Sequence, residues 1–204
     1  MKINKDILIH IIGIGGIGMS GIAEILSDMR YHVQGSDINI NSNILRLNKK
    51  NIKTFKGHKQ ENLKNVNLIV YSTAVKKSNV ELTFAKKNKI PSITRAEILS
   101  QIVKLKNSIA ISGSHGKTTT TSLISSILNA AKMNPTVING GIINQFGTNT
   151  RLGSGKWMVV EADESDGTFV KLPSTIAVVT NIDKEHLDYK DEFSVVRINR
   201  NLPR

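Results

Sequence analysis

The chain has 204 residues, no cysteine and a net charge of +12. The length suits one large or two small domains with a real core, and the absent cysteines exclude disulfides, thiolate metal sites and cysteine nucleophiles. Apolar residues make up 39% and charged residues 22%, which places the chain among globular proteins, while no run of 18 apolar residues offers a membrane span. The first six residues lead directly into a strand pattern and leave no room for a signal peptide, so a cytoplasmic protein is expected. The positive charge admits an anionic partner. Its lysines, however, are scattered through stretches such as 48–51, 76–77 and 86–89, with no aromatic residues interleaved for base stacking. Solvated helix faces and turns therefore account for it better than a nucleic-acid surface.

Residues 7–12 form a continuous apolar run, the pattern of a buried parallel strand. It ends in Gly13-Ile14-Gly15-Gly16-Ile17-Gly18, which satisfies G-x-G-x-x-G, and a helix is expected next with Met19, Ile22, Ala23, Ile25 and Leu26 on its packed side. A short strand over residues 31–34 precedes Asp37, which follows the loop at the distance, about 20 residues, where a Rossmann unit presents an acid to a ribose hydroxyl. A tight strand-to-helix turn without a ligand is the competing reading. The βα alternation continues with a helix over 43–51, strands over 52–55 and 68–71, a helix over 80–88 and a short strand over 89–93. The 68–71 strand runs into Ser72-Thr73-Ala74, small hydroxylated residues at a strand C-terminus, where α/β sheets bind ligands; a plain turn or cap explains them equally well. Thr94 and Glu97 have the spacing of a capping box for a helix over 95–105. The first domain is expected to span residues 1–107 and the second 108–204.

The second unit opens on an apolar run, 109–111, followed by Gly113-Ser114-His115-Gly116-Lys117-Thr118-Thr119. Strand, glycine turn, Lys-Thr and helix make up a phosphate-binding loop: backbone amides close around the anion, Lys117 bridges outer phosphates and Thr118 reaches a Mg²⁺. The position five before Gly116 is Ile111, so this is a shortened form and not G-x-x-x-x-G-K-[ST]. The following helix, over 118–133, is expected to repeat Leu123, Ile124, Ile127, Leu128 and Ala131 at helical spacing. Residues 144–155 look like a loop over the site. A strand over 157–160 ends in Glu161-Ala162-Asp163-Glu164-Ser165-Asp166, and one over 175–179 ends ahead of His186. Parallel strands would bring all three ends to one rim. Four acids clustered in a basic chain suit metal-bridged phosphate binding. His186, taken alone, suits a surface or capping residue at least as well as a ligand, because Mg²⁺ prefers hard oxygens.

Taken together, residues 13–23, 35–39, 95–99, 113–121, 161–169 and 178–189 resemble the Mur ligase family, in six motifs and in order. The resemblance runs from about residue 7 to residue 193. It implies an α/β architecture: a Rossmann-like UDP-binding domain followed by an incomplete P-loop-type α/β ATPase domain. It also implies an activity, the ATP-dependent ligation of an amino acid, here L-alanine, to UDP-N-acetylmuramate through an acyl phosphate, with ATP and Mg²⁺ as cofactors. A relative that reattaches a whole recycled peptide shares the glycine motifs and is the alternative, as is a non-catalytic UDP-sugar-binding remnant. By motif position Gly113, Ser114, His115, Gly116, Lys117, Thr118 and Thr119 would bind ATP. Thr118, Glu161 and His186 would hold metal, and Lys117, Glu161 and His186 would be catalytic. Gly13, Gly15, Gly16, Ile17 and Gly18 would cradle the UDP-sugar diphosphate, not NAD, with Asp37, Ser72, Thr73 and Ala74 toward the uridine. Family members continue for more than as long again, and residues 194–204 no longer resemble them. The activity is therefore expected to be incomplete in this chain, with a separately encoded C-terminal fragment as a conceivable partner.

Overall fold

The computed structural model describes residues 5–143, 148–162 and 172–181. The chain divides into two compact units, Met1–Ile98 and Leu99–Arg204. The division falls inside a helix, Arg95–Val103.

In the first unit, β1 (Leu8–Ile12), β2 (His32–Asp37), β3 (Lys53–Lys56), β4 (Leu68–Tyr71) and β5 (Ser92–Thr94) form one sheet in the order β3-β2-β1-β4-β5. Every pairing is parallel. This is doubly wound connectivity, with the order reversing between β1 and β4, where open α/β sheets hold ligands. Buried on both faces from Ile9 on, β1 reads as a continuous apolar run, Leu8, Ile9, Ile11 and Ile12, apart from His10. Helix α1 (Ile17–Asp28) buries Met19, Ile22, Ala23, Ile25 and Leu26, as its spacing predicts. Helices α2 (Ser42–Lys49) and α3 (Val80–Lys87) begin on Asn41 and Asn79, whose side chains accept from backbone amides of their first turns. Helix α4 (Arg95–Val103) carries the expected capping box: the Thr94 amide donates to Glu97 Oε2 at 2.7 Å and the Glu97 amide returns to Thr94 Oγ1 at 3.3 Å. Such caps are each worth about 1 kcal/mol.

Strand β2 is longer than its apolar content suggests, continuing through Gly35-Ser36-Asp37. Gly35 belongs in the strand because nothing larger fits: a Cβ there would collide with the Ile11 carbonyl and with Ile14. Below it lies a buried polar cluster. Ser36 Oγ donates to Glu81 Oε2 at 2.6 Å, Asn62 Nδ2 donates to Glu81 Oε1 at 2.8 Å, and His10 and His58 lie 3.4 and 3.2 Å from Glu81 Oε2. Burial pushes the Glu81 carboxyl up, but hydrogen bonds from His10, Ser36 and Asn62 outweigh it and leave the pKa below its ordinary 4.5. A carboxyl whose pKa falls on folding contributes stability in full above its unfolded value and loses it as pH drops through the folded one. The wild-type melting temperature is therefore expected to fall more steeply than that of Glu81→Gln below about pH 4.5, followed by thermal melts across that range. Parallel curves would contradict the assignment.

In the second unit, β6 (Asn107–Ser112), β7 (Thr136–Ile143), β8 (Thr148–Arg151), β9 (Trp157–Glu161) and β10 (Ile176–Val179) form a sheet in the order β10-β6-β9-β7-β8. The pairings are parallel except β7 with β8. Strand β8 corrects the expected loop over 144–155: its Thr-Asn-Thr-Arg sequence has no apolar alternation, and pairing with β7 holds it in the sheet. Helix α5 (Lys117–Ala130) lies against β6, β7 and β9, with Ile124 and Leu128 packed on Ile109, Ile111 and Val159. Its inward face includes small buried Thr121 and Ser125, while Leu123 and Ile127 are 60% and 67% exposed. The helical spacing of the apolar positions therefore does not place all of them on the sheet: Leu123 and Ile127 face outward. Inward-facing Thr and Ser let the helix approach the sheet, and their hydroxyls mask the apolar stripe in sequence. Ser125 covers its own polarity by donating to the Thr121 carbonyl at 2.6 Å.

Candidate functional site

Helices α1 and α5 start differently from the other three. Their N-caps are Gly16 and Gly116, with no side-chain cap and no acid in the first turn, whereas α2, α3 and α4 are capped by Asn41, Asn79 and Thr94. A helix start leaves amides without intrahelical partners and carries a partial positive charge. The two that follow glycine loops are those whose sequences supply no side-chain cap of their own.

At the first, Gly13 has φ +77°, open to glycine and strained for most other residues. The Ser36 carbonyl accepts from the Gly13 and Ile14 amides at 2.8 and 3.1 Å. Asp37 Oδ2 accepts from the Gly15 amide at 2.9 Å, and the side-chain amides of Asn41 and Asn43 donate to the Gly15 carbonyl at 3.0 and 2.8 Å. Asp37 therefore buttresses the loop, with its other oxygen accepting from the Asn39 amide at 3.2 Å. Gly15 is needed for this approach, since a Cβ would lie 2.9 Å from Asp37 Oδ2. Gly18 makes room for the Arg95 guanidinium, whose Nη1 lies 2.9 Å from where a Cβ would stand. The turn at Ser72, Thr73 and Ala74 closes with the Val75 amide on the Ser72 carbonyl, and Val75 reaches within 3.9 Å of a Gly13 Cβ position. The sheet thus brings this turn beside the glycine loop, with Ile17 exposed at the start of α1. Asn41, Asn43 and Arg95 were missed as site residues. Arg95 lies in a motif noted for its order alone, and the asparagines have no periodic signature.

At the second, the ends of β6, β9 and β10 share one rim, as registers Ile111↔Glu161 and Val179↔Ser112 require. Gly116 stands at φ +77° and a Cβ on it would meet nothing within 4 Å, so the turn opens outward. Lys117 Nζ donates to the carbonyls of Gly113 and Ser114 at 2.5 and 3.2 Å. Thr118 Oγ1 lies 3.1 and 3.3 Å from the two Glu161 oxygens, and the Gly140 amide donates to Glu161 Oε2 at 2.8 Å. Behind the loop, the His115 amide donates to Asn181 Oδ1 at 2.9 Å and Thr180 Oγ1 donates to the His115 carbonyl at 2.6 Å. Thr119 is exposed on the first turn of α5. Gly140, Thr180 and Asn181 are additions to the sequence reading; the first was visible only as a glycine pair after a strand. His186 and the acids Asp163, Glu164 and Asp166 lie outside the described residues.

A hydroxyl and a carboxylate side by side, next to a lysine and a helix N-terminus, are the hard-oxygen donors Mg²⁺ takes when it bridges phosphate. The residues present fit a magnesium nucleotide. Among the described residues no group of three or more His, Asp or Glu side chains forms a metal cage.

Comparison with known proteins agrees with this layout. The family model for the Mur ligase catalytic domain matches residues 8–107 and that for the Mur ligase middle domain matches 111–196. The second reaches slightly past the point where the sequence reading ended the likeness. Curated relatives include the UDP-N-acetylmuramate–L-alanine ligases of Allorhizobium ampelinum, 58% identical over 97% of this chain and 42% of that protein, and of Brucella anthropi, 57% identical over the same shares. Among solved structures, a UDP-N-acetylmuramate–alanine ligase from Thermotoga maritima superposes with TM-score 0.83 at 32% identity, over 88% of this chain and 42% of that one. A UDP-N-acetylmuramate:L-alanyl-gamma-D-glutamyl-meso-diaminopimelate ligase from Neisseria meningitides gives 0.85 at 27%, over 92% and 64%. The chain spans about two-fifths of the length of the curated relatives it matches. With both family models matching in order and each glycine loop built at the head of its own helix, the chain belongs to the Mur ligase family.

Proposed function

We propose that this chain supplies the UDP-sugar site and one wall of the ATP site of a ligase that joins L-alanine to UDP-N-acetylmuramate. The observation that carries the reading is the pair of uncapped, glycine-started helices, one per unit, with Lys117, Thr118 and Glu161 gathered at the second. The first loop, with Gly13, Gly15, Gly16, Ile17, Gly18 and the 72–74 turn, takes the diphosphate and uridine end of the sugar nucleotide. Its donors to the anion are the backbone amides at the start of α1, held in place by the loop, and suited to an anion of fixed geometry.

A carboxylate is a poor electrophile, and ATP supplies the phosphoryl group that makes it an acyl phosphate with a leaving group. Lys117 would draw charge from the phosphoryl oxygens, Thr118 and Glu161 would hold Mg²⁺, which would neutralise charge on the phosphoryl group in transfer, and the amides at the start of α5 would orient the chain of phosphates. Asn181 and Thr180 hold the loop against the sheet, so this geometry is set before nucleotide arrives. The amine of L-alanine then displaces phosphate to leave an amide. His186 is proposed as a second metal ligand on motif position. The cytoplasm is the proposed location, since two of the proposed substrates are ATP and a nucleotide sugar. A separate polypeptide carrying the rest of the relatives' length is a proposed partner. The peptide-reattaching ligase is second to this reading, because the curated relatives at 56–58% identity bear the alanine ligase's name.

The test joins this chain to the remaining three-fifths of the Brucella anthropi relative and follows phosphate release from ATP. Release that requires both UDP-N-acetylmuramate and L-alanine, and that Lys117→Met abolishes, is the expected result. Release indifferent to either substrate would refute the reading.

A further inference from the structure

The glycine loop of the first unit hangs from two residues at the end of β2: the Ser36 carbonyl takes the Gly13 and Ile14 amides, and Asp37 takes that of Gly15. What fixes Ser36 is a largely buried side-chain network that the ligase chemistry leaves unused. Ser36, His10 and Glu81 have no exposure at all. Gln34 Nε2 donates to the Asn62 carbonyl at 2.7 Å and faces His10 Nδ1 at 3.3 Å. That makes Nδ1 an acceptor and puts the His10 proton on Nε2, 3.3 Å from Ser36 Oγ and 3.4 Å from Glu81 Oε2. His58 Nδ1 lies 2.8 Å from Ser36 Oγ and 3.2 Å from the same carboxylate oxygen. Glu81 Oε1 receives Asn62 Nδ2 and, at 3.3 Å, the Lys59 amide. Every group facing Glu81 is thus a donor, and the arrangement is complete for a carboxylate alone.

Apolar residues of similar volume would fill this space at no cost in desolvation. The polar set has one evident consequence that they would not have: it fixes the Ser36 side chain on one side while the same residue's carbonyl holds the loop on the other. We propose that Glu81, reaching β2 from the first turn of α3, is a positioning residue for the diphosphate loop, acting through Ser36. It sets the direction of the Gly13 and Ile14 amides and so the loop's fit to a nucleoside diphosphate. The affinity arm of the test rests on the proposed function above; the exchange arm does not.

Glu81→Gln keeps the volume but turns N–H donors toward one side of the cluster, either Ser36, His58 and His10 or Asn62 and the Lys59 amide, all of which already donate. Ser36→Ala removes the hydroxyl and keeps the carbonyl. In the 204-residue chain, each is expected to speed hydrogen exchange at the Gly13 and Ile14 amides well beyond any change at Ile9 and Ile11 in β1. Each is also expected to weaken uridine diphosphate binding about tenfold, and the double variant to lose no more than the worse single one, as members of one linkage do. If Glu81→Gln does not fold, Ser36→Ala carries the same readouts. Exchange that rises equally at all four amides, or losses that add in full, would reduce Glu81 to a structural role and overturn the proposal. A wild-type chain that binds no uridine diphosphate would sink the ligand reading, and the exchange pattern would then decide the positioning role alone.

Discussion

Lys117→Met lowers the affinity of the chain for MgATP by tenfold or more and leaves its thermal melt unchanged; that is the expected result of a calorimetric titration. The Lys117 ammonium donates to the carbonyls of Gly113 and Ser114, directly over the turn that precedes α5. Those carbonyls are neutral acceptors, and a phosphate oxygen is a charged one. Charge-assisted hydrogen bonds contribute roughly 1.5–3 kcal/mol, which corresponds to about ten- to hundredfold in affinity. Met keeps an unbranched aliphatic side chain of similar length and removes only the charge and its donors. Stability should change little, because two bonds to partly exposed carbonyls are replaced by water. An unchanged affinity would mean that nucleotide phosphates do not lie at this loop.

Gly35→Ala has the larger effect on stability. The added methyl collides with the Ile11 carbonyl, which is part of the β1 backbone and cannot swing aside, and stands 2.6 Å from Ile14 Cδ1. Overpacking a tight core costs about 1–3 kcal/mol and more where backbone must move. For a domain of this size that corresponds to a fall of about 10 °C or more in melting temperature, read by circular dichroism. The strain also displaces Ser36, so uridine diphosphate affinity should fall with it. A melting temperature within about 2 °C of wild type would show that β1 and β2 are not packed as described.

The two glycine loops and their helices were legible because each sits where a buried strand meets an amphipathic helix, and that change of period is written in the sequence. Strand β4 at Leu68–Tyr71 and the Thr94–Glu97 capping box were readable for the same local reasons. What escaped was set by contacts distant in the chain. Gly35 reads as a strand breaker until the Ile11 carbonyl opposite it is known. Thr121 and Ser125 look solvent-facing until α5 is laid on its sheet, which exposes Leu123 and Ile127 instead. Strand β8 carries no apolar alternation and exists through its partner β7. In the site, spacing placed Asp37 and Glu161 at strand ends but could not give their partners. Asp37 turns out to hold the Gly15 amide, and Glu161 gathers Thr118 and Gly140 from two other elements. Asn181 and Thr180 brace the phosphate loop from 66 and 65 residues along the chain, a separation no local pattern reveals.

The central claim is that the G-x-G-x-x-G loop of this chain serves a UDP-sugar and not a nicotinamide cofactor. Isothermal titration of the 204-residue chain with UDP-N-acetylmuramate, and separately with NADH, tests it most directly. The account predicts saturable one-to-one binding of the UDP-sugar, displaced by uridine diphosphate, with no heat from NADH. Tight NADH binding, with none of the UDP-sugar, would contradict it.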